Sequence, residues 1–394
     1  MKIHSLYFYR GSVLLAQLLF YRAVSVELGY AALGYLSQMT AIALLTSAVF
    51  RFGCNTAIGK VIISRDAPVG SHRSIGFSYV ILALARSLSI LVPATLLGFL
   101  IWGLDLAVLA LSVLYAINLS FSFVERALGK HFGMVLMDTG VSFVVLAMAF
   151  YIANFMLPEP MAVIKFLVVI EGIKLLTYAI LSCREFDLGN FDRSQISLSY
   201  RLKYTLSEIL SVLSNGGIQI YLPLIIGATN SGVFFILQRL GAPLLFLLNV
   251  VNSVIVSRIV KNKGDIKRVF LNSVRELVFL GVIFIGIMFL FQGQILDMFN
   301  IREYDTEFAI IILGVFMNLL TGASAAVFNS VGRPEFNLKS NLLFIAFFVI
   351  STLALYGFFE IGLYGVALAF LAASTLRNVV VFVGLKKLQN DGTL

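Results

Sequence analysis

Five basic residues stand inside stretches otherwise too apolar to carry charge: Arg22, Arg86, Lys165, Lys174 and Arg239. An Arg or Lys at membrane depth costs about 2.5–3.5 kcal/mol on insertion scales, so five left unpaired would cost roughly 12–17 kcal/mol, comparable with the whole stability of an ordinary domain. They must pair with acids or line a wet cavity. Fixed cations in a wet cavity of low dielectric attract an anion, and the bidentate fork of Arg suits phosphate in particular.

The acids available decide between these outcomes. Lys174 follows Glu171 by three residues, so the two share a helix face and form a local pair. Lys165 lies near the outer end of its span, where its stem can snorkel to the headgroups. Arg22, Arg86 and Arg239 find too few carboxylates at matching depth, and at least two of them are expected to line the cavity. Arg51 and Arg258, at cytoplasmic helix ends, would draw an anionic headgroup inward. Glu171, Glu208 and Asp138 are the candidates for ion coupling or charge pairing, and the residues alone do not choose between those roles. Glu208, Ser211 and Asn215 share a face at helical spacing, as a hydrophilic interior or an interhelical contact requires. Pro93, Gly216-Gly217 with Pro223, and Gly241 with Pro243 allow bending, as hinges or, the more frequent use of such residues, as fixed kinks.

These residues must be positioned by membrane helices. Of 394 residues 60% are apolar and only 12% charged, with mean hydropathy +0.97, which excludes one large water-soluble core. A spanning helix needs about 20 apolar residues, and twelve such stretches can be read: 6–28, 31–51, 76–102, 105–124, 132–156, 161–182, 204–228, 231–257, 274–292, 307–330, 338–359 and 361–384. Of the 29 Lys and Arg residues, 23 then fall at one membrane face, and only Arg302, beside Asp297, Glu303, Asp305 and Glu307, at the other. That asymmetry is the positive-inside pattern and places both termini in the cytoplasm. The net charge of +9 is accounted for by topology and by attraction to anionic membrane lipids, so no nucleic-acid partner is expected. Cys54 and Cys183 make neither a disulfide framework nor a metal site. No phosphate-binding glycine loop, metal-ligand cluster or nucleophile motif occurs, so neither a catalytic residue nor a cofactor is expected.

The chain also repeats itself. Leu28-Gly29, then Gly34-Tyr35, recurs 198 residues later as Ile226-Gly227, then Gly232-Val233, at the outer turn after the first helix of each half. Ala127-Leu128-Gly129-Lys130 is echoed 203 residues on by Ser330-Val331-Gly332-Arg333. An even helix number per half keeps both halves in one orientation, related by an axis along the membrane normal. The expected fold is therefore all-α and integral to the membrane: twelve transmembrane helices in two pseudo-symmetric six-helix lobes around a central cavity. The lobes are residues 1–182 and 204–394, joined by a cytoplasmic linker at 183–203.

The "ELGYAALGY" turn, the "ALGKHFG" and "SVGRPEF" inner loops, and "IIGATNSGVFFILQRL" resemble the Wzx-type lipid-linked oligosaccharide flippases. These polysaccharide (O-antigen repeat unit) flippases belong to the multidrug/oligosaccharidyl-lipid/polysaccharide (MOP) exporter superfamily, which also holds the lipid II flippase and the multidrug and toxin extruders. The resemblance implies transport of an undecaprenyl-pyrophosphate-linked glycan from the cytoplasmic to the periplasmic leaflet of the bacterial inner membrane by alternating access. It also implies other glycan-assembly membrane proteins as partners, and a proton or sodium ion as the coupling ion to be identified. The lipid II flippase is similar in carrying basic residues on helices one, two and eight, where this chain has Arg22, Arg51 and Arg239. The cationic substrate site expected is thus Arg22, Arg51, Arg86, Lys165, Lys174 and Arg239.

Two other classes compete. An organic-cation or drug exporter needs acids in the cavity, whereas basic residues dominate these spans. An integral-membrane glycan polymerase needs catalytic residues displayed on a substantial loop, and the longest outer loop here is the short segment around 293–306.

Overall fold

The computed structural model describes residues 3–54, 72–127, 140–141, 144–148, 151, 159–182, 198–244, 266–330 and 335–390. Among them every regular element is a helix, because in hydrocarbon the backbone must satisfy its own hydrogen bonds and a helix does so within one segment. In chain order these are α1 (Ile3–Glu27), α2 (Gly29–Arg51), α3 (His72–Ile101), α4 (Leu106–Ala127), and α5, described at 140–141 and 144–148. Then come α6 (Pro160–Ser182), the inner part of α7 (Leu198–Asn215), a helical run Ile218–Leu240, α9 (Ile266–Leu290), α10 (Asp305–Ser330), α11 (Glu335–Thr352) and α12 (Gly362–Asn390). A short helix, Gln292–Met298, and the turn Arg302–Tyr304 lie between α9 and α10. Seven stretches among the described residues are long and apolar enough to cross a membrane.

The longest of these, Thr205–Leu240, has 36 residues. Straight, it would measure about 54 Å against a hydrocarbon core of about 30 Å. Gly227 resolves the excess: its φ of 79° and ψ of 162° are not helical, and the chain reverses there. Ser231 Oγ donates to Gln219 Oε1 at 3.1 Å although twelve residues separate them, a contact impossible along one straight helix. Residues 218–226 thus complete α7, and 228–240 form α8.

The expected bends differ in kind. Pro93 lies inside α3 without ending it. At Gly216-Gly217 α7 breaks: both amides reach back to Val212 O, at 2.9 and 2.8 Å, and helical bonding restarts beyond them. Gly241 forms a turn directly after α8. One boundary moves as well. Residues 198–203, expected within the linker, are helical and extend α7 inward, because Arg201 packs inside the protein instead of facing water. Residues 183–197 of that linker, Asp138, Arg258, and most of the two inner-loop motifs fall outside the described residues.

α2 is the seam of the molecule. It packs along α8 and α7 on one side and along α4 and α6 on the other. The repeated glycines explain how the seam closes. Gly29 and Gly227 both take positive φ, 84° and 79°, which side chains with a Cβ rarely adopt. At the partner positions, a Cβ on Gly34 would stand 2.1 Å from Ala228 O, and one on Gly232 would stand 2.0 Å from Tyr30 O. The two backbones touch because neither residue has a side chain. One apolar core runs through both halves, and within it Phe344, Phe348 and Phe370 meet edge-on or stacked at 6.1–6.2 Å.

Candidate functional site

A cavity of about 150 Å³ lies beside α2. Tyr21 of α1, Ser37 and Thr40 of α2, Tyr115 of α4, Met148 of α5, and Glu171 and Lys174 of α6 line it from the N-terminal half. Gln219 of α7 and Phe235 and Arg239 of α8 form the opposite wall. The cavity expected between two halves is present, but it sits largely in the first of them.

Arg239 and Lys174 are the two sequence-predicted cations that reach this cavity, and their surroundings differ. Lys174 Nζ bonds Glu171 Oε1 at 2.8 Å, the local pair expected from their spacing. Asn118 of α4 donates to the other carboxylate oxygen, Oε2, at 2.7 Å, so Glu171 is held from both sides while buried. Arg239 bonds no carboxylate among the described residues. Its guanidinium lies 4.9 Å from the centre of the Phe235 ring and 5.9 Å from that of Tyr21, in cation–π contact with both faces. Its Nε is buried and has no hydrogen-bond partner among the described residues. The rings hold the charge in place without neutralising it. Among the described residues the lining thus carries two cations, Lys174 and Arg239, and one carboxylate, Glu171.

Arg51 is buried in another place. Its Nε bonds Glu208 Oε1 at 2.6 Å, with side chains only 5% and 13% exposed, and its Nη1 reaches Ser47 Oγ at 2.9 Å. Neither partner lines the cavity. They tie the C-terminal end of α2 to α7. Arg22 is exposed near the C-terminal end of α1, where Nε donates to Met298 O at 2.8 Å. There it caps the carbonyl end of the short helix Gln292–Met298. Tyr30 Oη donates to the adjacent Phe299 O, so two side chains of the N-terminal half clasp the same outer turn. Arg86 and Lys165 are exposed on their helices and line no part of the cavity.

Arg201, assigned by sequence to the inner loop, is fully buried. It points from α7 toward Ser87 Oγ at 3.3 Å and toward the carbonyls of Arg51 and Ala83 at 3.5 Å. The signal was available, since Arg201, Thr205 and Glu208 recur at helical spacing on one face. Asn118 and Gln219 carried no such signal. Gln219 Oε1 accepts from Ser37 and Ser231, knitting α2, α7 and α8 at the cavity wall. Arg377 of α12 lies over the Phe344 ring at 5.8 Å.

No protein-family model matches the chain, and no curated protein matches it by sequence. Solved structures do. A MOP superfamily transporter from Pyrococcus furiosus, described as having a binding pocket of reversed polarity, superposes with a TM-score of 0.71 at 16% identity, covering 97% of this chain and 94% of its own. A MATE in its straight conformation gives 0.70 at 18% identity, over 98% and 94% of the two chains. An outward-facing multidrug resistance MATE family transporter of the MOP superfamily gives 0.66 at 16% identity, over 98% and 96%. Their helices account for nearly the whole of this chain, which is a multi-pass membrane protein with the fold of the MATE transporters of the MOP superfamily.

Proposed function

We propose that the protein is a flippase for an anionic lipid-linked oligosaccharide, moving undecaprenyl-pyrophosphate-linked glycan repeat units from the cytoplasmic to the periplasmic leaflet of the bacterial inner membrane. Two lobes, 1–182 and the half that begins with α7 at Leu198, would alternate in access, with both termini in the cytoplasm. The observation that carries this reading is Arg239: a guanidinium in the cavity, clamped by aromatic faces, with a buried donor unused and no carboxylate bonded to it among the described residues. Such a group offers its fork to a phosphate. A space of about 150 Å³ suits a phosphate group and no oligosaccharide. Sugars would therefore require the lobes to part, which is what alternating access supplies.

A second reading is favoured by Glu171. This buried carboxylate and the aromatic walls of Tyr21 and Phe235 are what a MATE-like exporter of organic cations needs. Complementation separates the two. Expressed in a strain lacking its undecaprenyl-linked glycan flippase, the chain should restore surface glycan, and Arg239→Glu should abolish that while remaining inserted. Drug resistance conferred by the wild type, abolished by Glu171→Gln and untouched by Arg239→Glu, would overturn the flippase reading.

A further inference from the structure

A second pocket, of about 270 Å³, opens between α5 and α6. Val144, Ile173 and Thr177 line it, and Val141, Ile170 and Lys174 line both it and the central cavity. Of these three shared residues only Lys174 is charged. The pocket lies on the membrane side: Val169, Ile173, Leu176 and Ile180 form one stripe along α6, each 54–64% exposed. At that depth the stripe meets hydrocarbon chains. Gly140, which also lines the pocket, leaves open space: among the described residues nothing lies within 4 Å of where a Cβ would stand.

Depth and charge select an occupant. Lys174 precedes the end of α6 by eight residues and Thr177 by five, about 12 and 7.5 Å along the axis. By the distribution of basic residues that end is cytoplasmic. A headgroup of the inner leaflet would meet Thr177, then Lys174, then the central cavity. An ammonium has three donors; Glu171 Oε1 takes one of them, leaving two for an anion.

We infer that the pocket between α5 and α6 seats the hydrocarbon chain of an anionic lipid whose phosphate reaches Lys174, and that it is the side door from the inner leaflet into the cavity. The inference rests on the reading of that cavity as an anion site. A neutral lipid would leave Lys174 unused, and a soluble anion would gain nothing from the apolar walls.

The test uses the full chain in phosphatidylcholine vesicles with a diazirine-tagged polyprenyl phosphate, read by mass spectrometry of cross-linked peptides. Adducts are expected on α5 and α6, around Val144 and Ile173. An uncharged polyprenol carrying the same tag should label them about tenfold less, the effect of one charged hydrogen bond. Val144→Trp, which fills the pocket, and Lys174→Gln, which removes the charge without filling it, should each lower labelling. Equal labelling by the two probes would overturn the inference, as would adducts spread evenly over the exposed faces of α9 and α11. Displacement of the probe by equimolar inorganic phosphate would overturn it too, by making the ligand a free anion. Transport lost in Arg239→Glu but unchanged in both Val144→Trp and Lys174→Gln would sink the side door and leave the anion cavity standing. Transport unchanged in Arg239→Glu would sink the anion cavity itself.

Discussion

Gly34 and Gly232 each rest against the backbone of the other's motif, and the two contacts are images of one another. Gly34 meets Ala228 O, Gly232 meets Tyr30 O, and both pairs are related by the same 198-residue offset. The offset extends inward. Ser37 bonds Gln219 on one side of the seam, and their counterparts on the other side are Phe235 and Tyr21, in edge-to-face contact at 5.0 Å. One half of the duplicated contact is a hydrogen bond; the other is an aromatic pair that carries Arg239.

Side chains at the paired glycines should force this seam apart. Gly34→Val or Gly232→Val is expected to destabilise by about 1–3 kcal/mol or more, as overpacking does. The double variant should cost less than the sum, because one separation relieves both clashes. Thermal unfolding in detergent checks it.

Arg239 and Arg22 should behave differently, although sequence groups them. Arg239→Gln removes the charge facing the cavity and should abolish glycan export, whereas Arg22→Gln loses one exposed bond to Met298 O and should retain most of it. Arg239→Lys should also fail in large part, since an ammonium lacks the planar fork that stacks on Phe235. Surface-glycan assembly in the complemented strain measures all three.

The buried pair of Arg51 and Glu208 should resist single substitution more than double. Arg51→Met alone leaves a carboxylate without its partner and should cost about 3–5 kcal/mol, while Arg51→Met with Glu208→Leu should recover much of that. Unfolding midpoints of the single and double variants, against the unsubstituted protein, decide it.

Cys54 reports on the C-terminal end of α2. Burial pushes its thiol up to about 12, with the nearby Arg201 opposing that shift. A raised thiol pKa keeps the protonated, unreactive form dominant at neutral pH. In a Cys183→Ser background, maleimide labelling should therefore be slow at pH 7 and keep rising with pH beyond 9, where an ordinary thiol levels off. Glu208→Gln, which loosens Arg51, should accelerate labelling at fixed pH.

The all-helical class and most span boundaries were legible in the sequence because both follow from local composition: a stretch without water must close its own hydrogen bonds, and its length is set by the bilayer. The Glu171–Lys174 pair was legible for the same reason, since three residues on one helix fix the geometry. The repeat showed because glycine is required where backbones touch. Which cation meets the cavity was not local. Arg22, Arg51, Arg86 and Arg239 look alike along the chain, and only the packing of α2 against α7 and α8 gives Arg51 a carboxylate, turns Arg22 to the outer clasp and leaves Arg239 between two rings. Arg201 makes the same point, because burial depends on which helices surround a residue and those neighbours are distant in sequence.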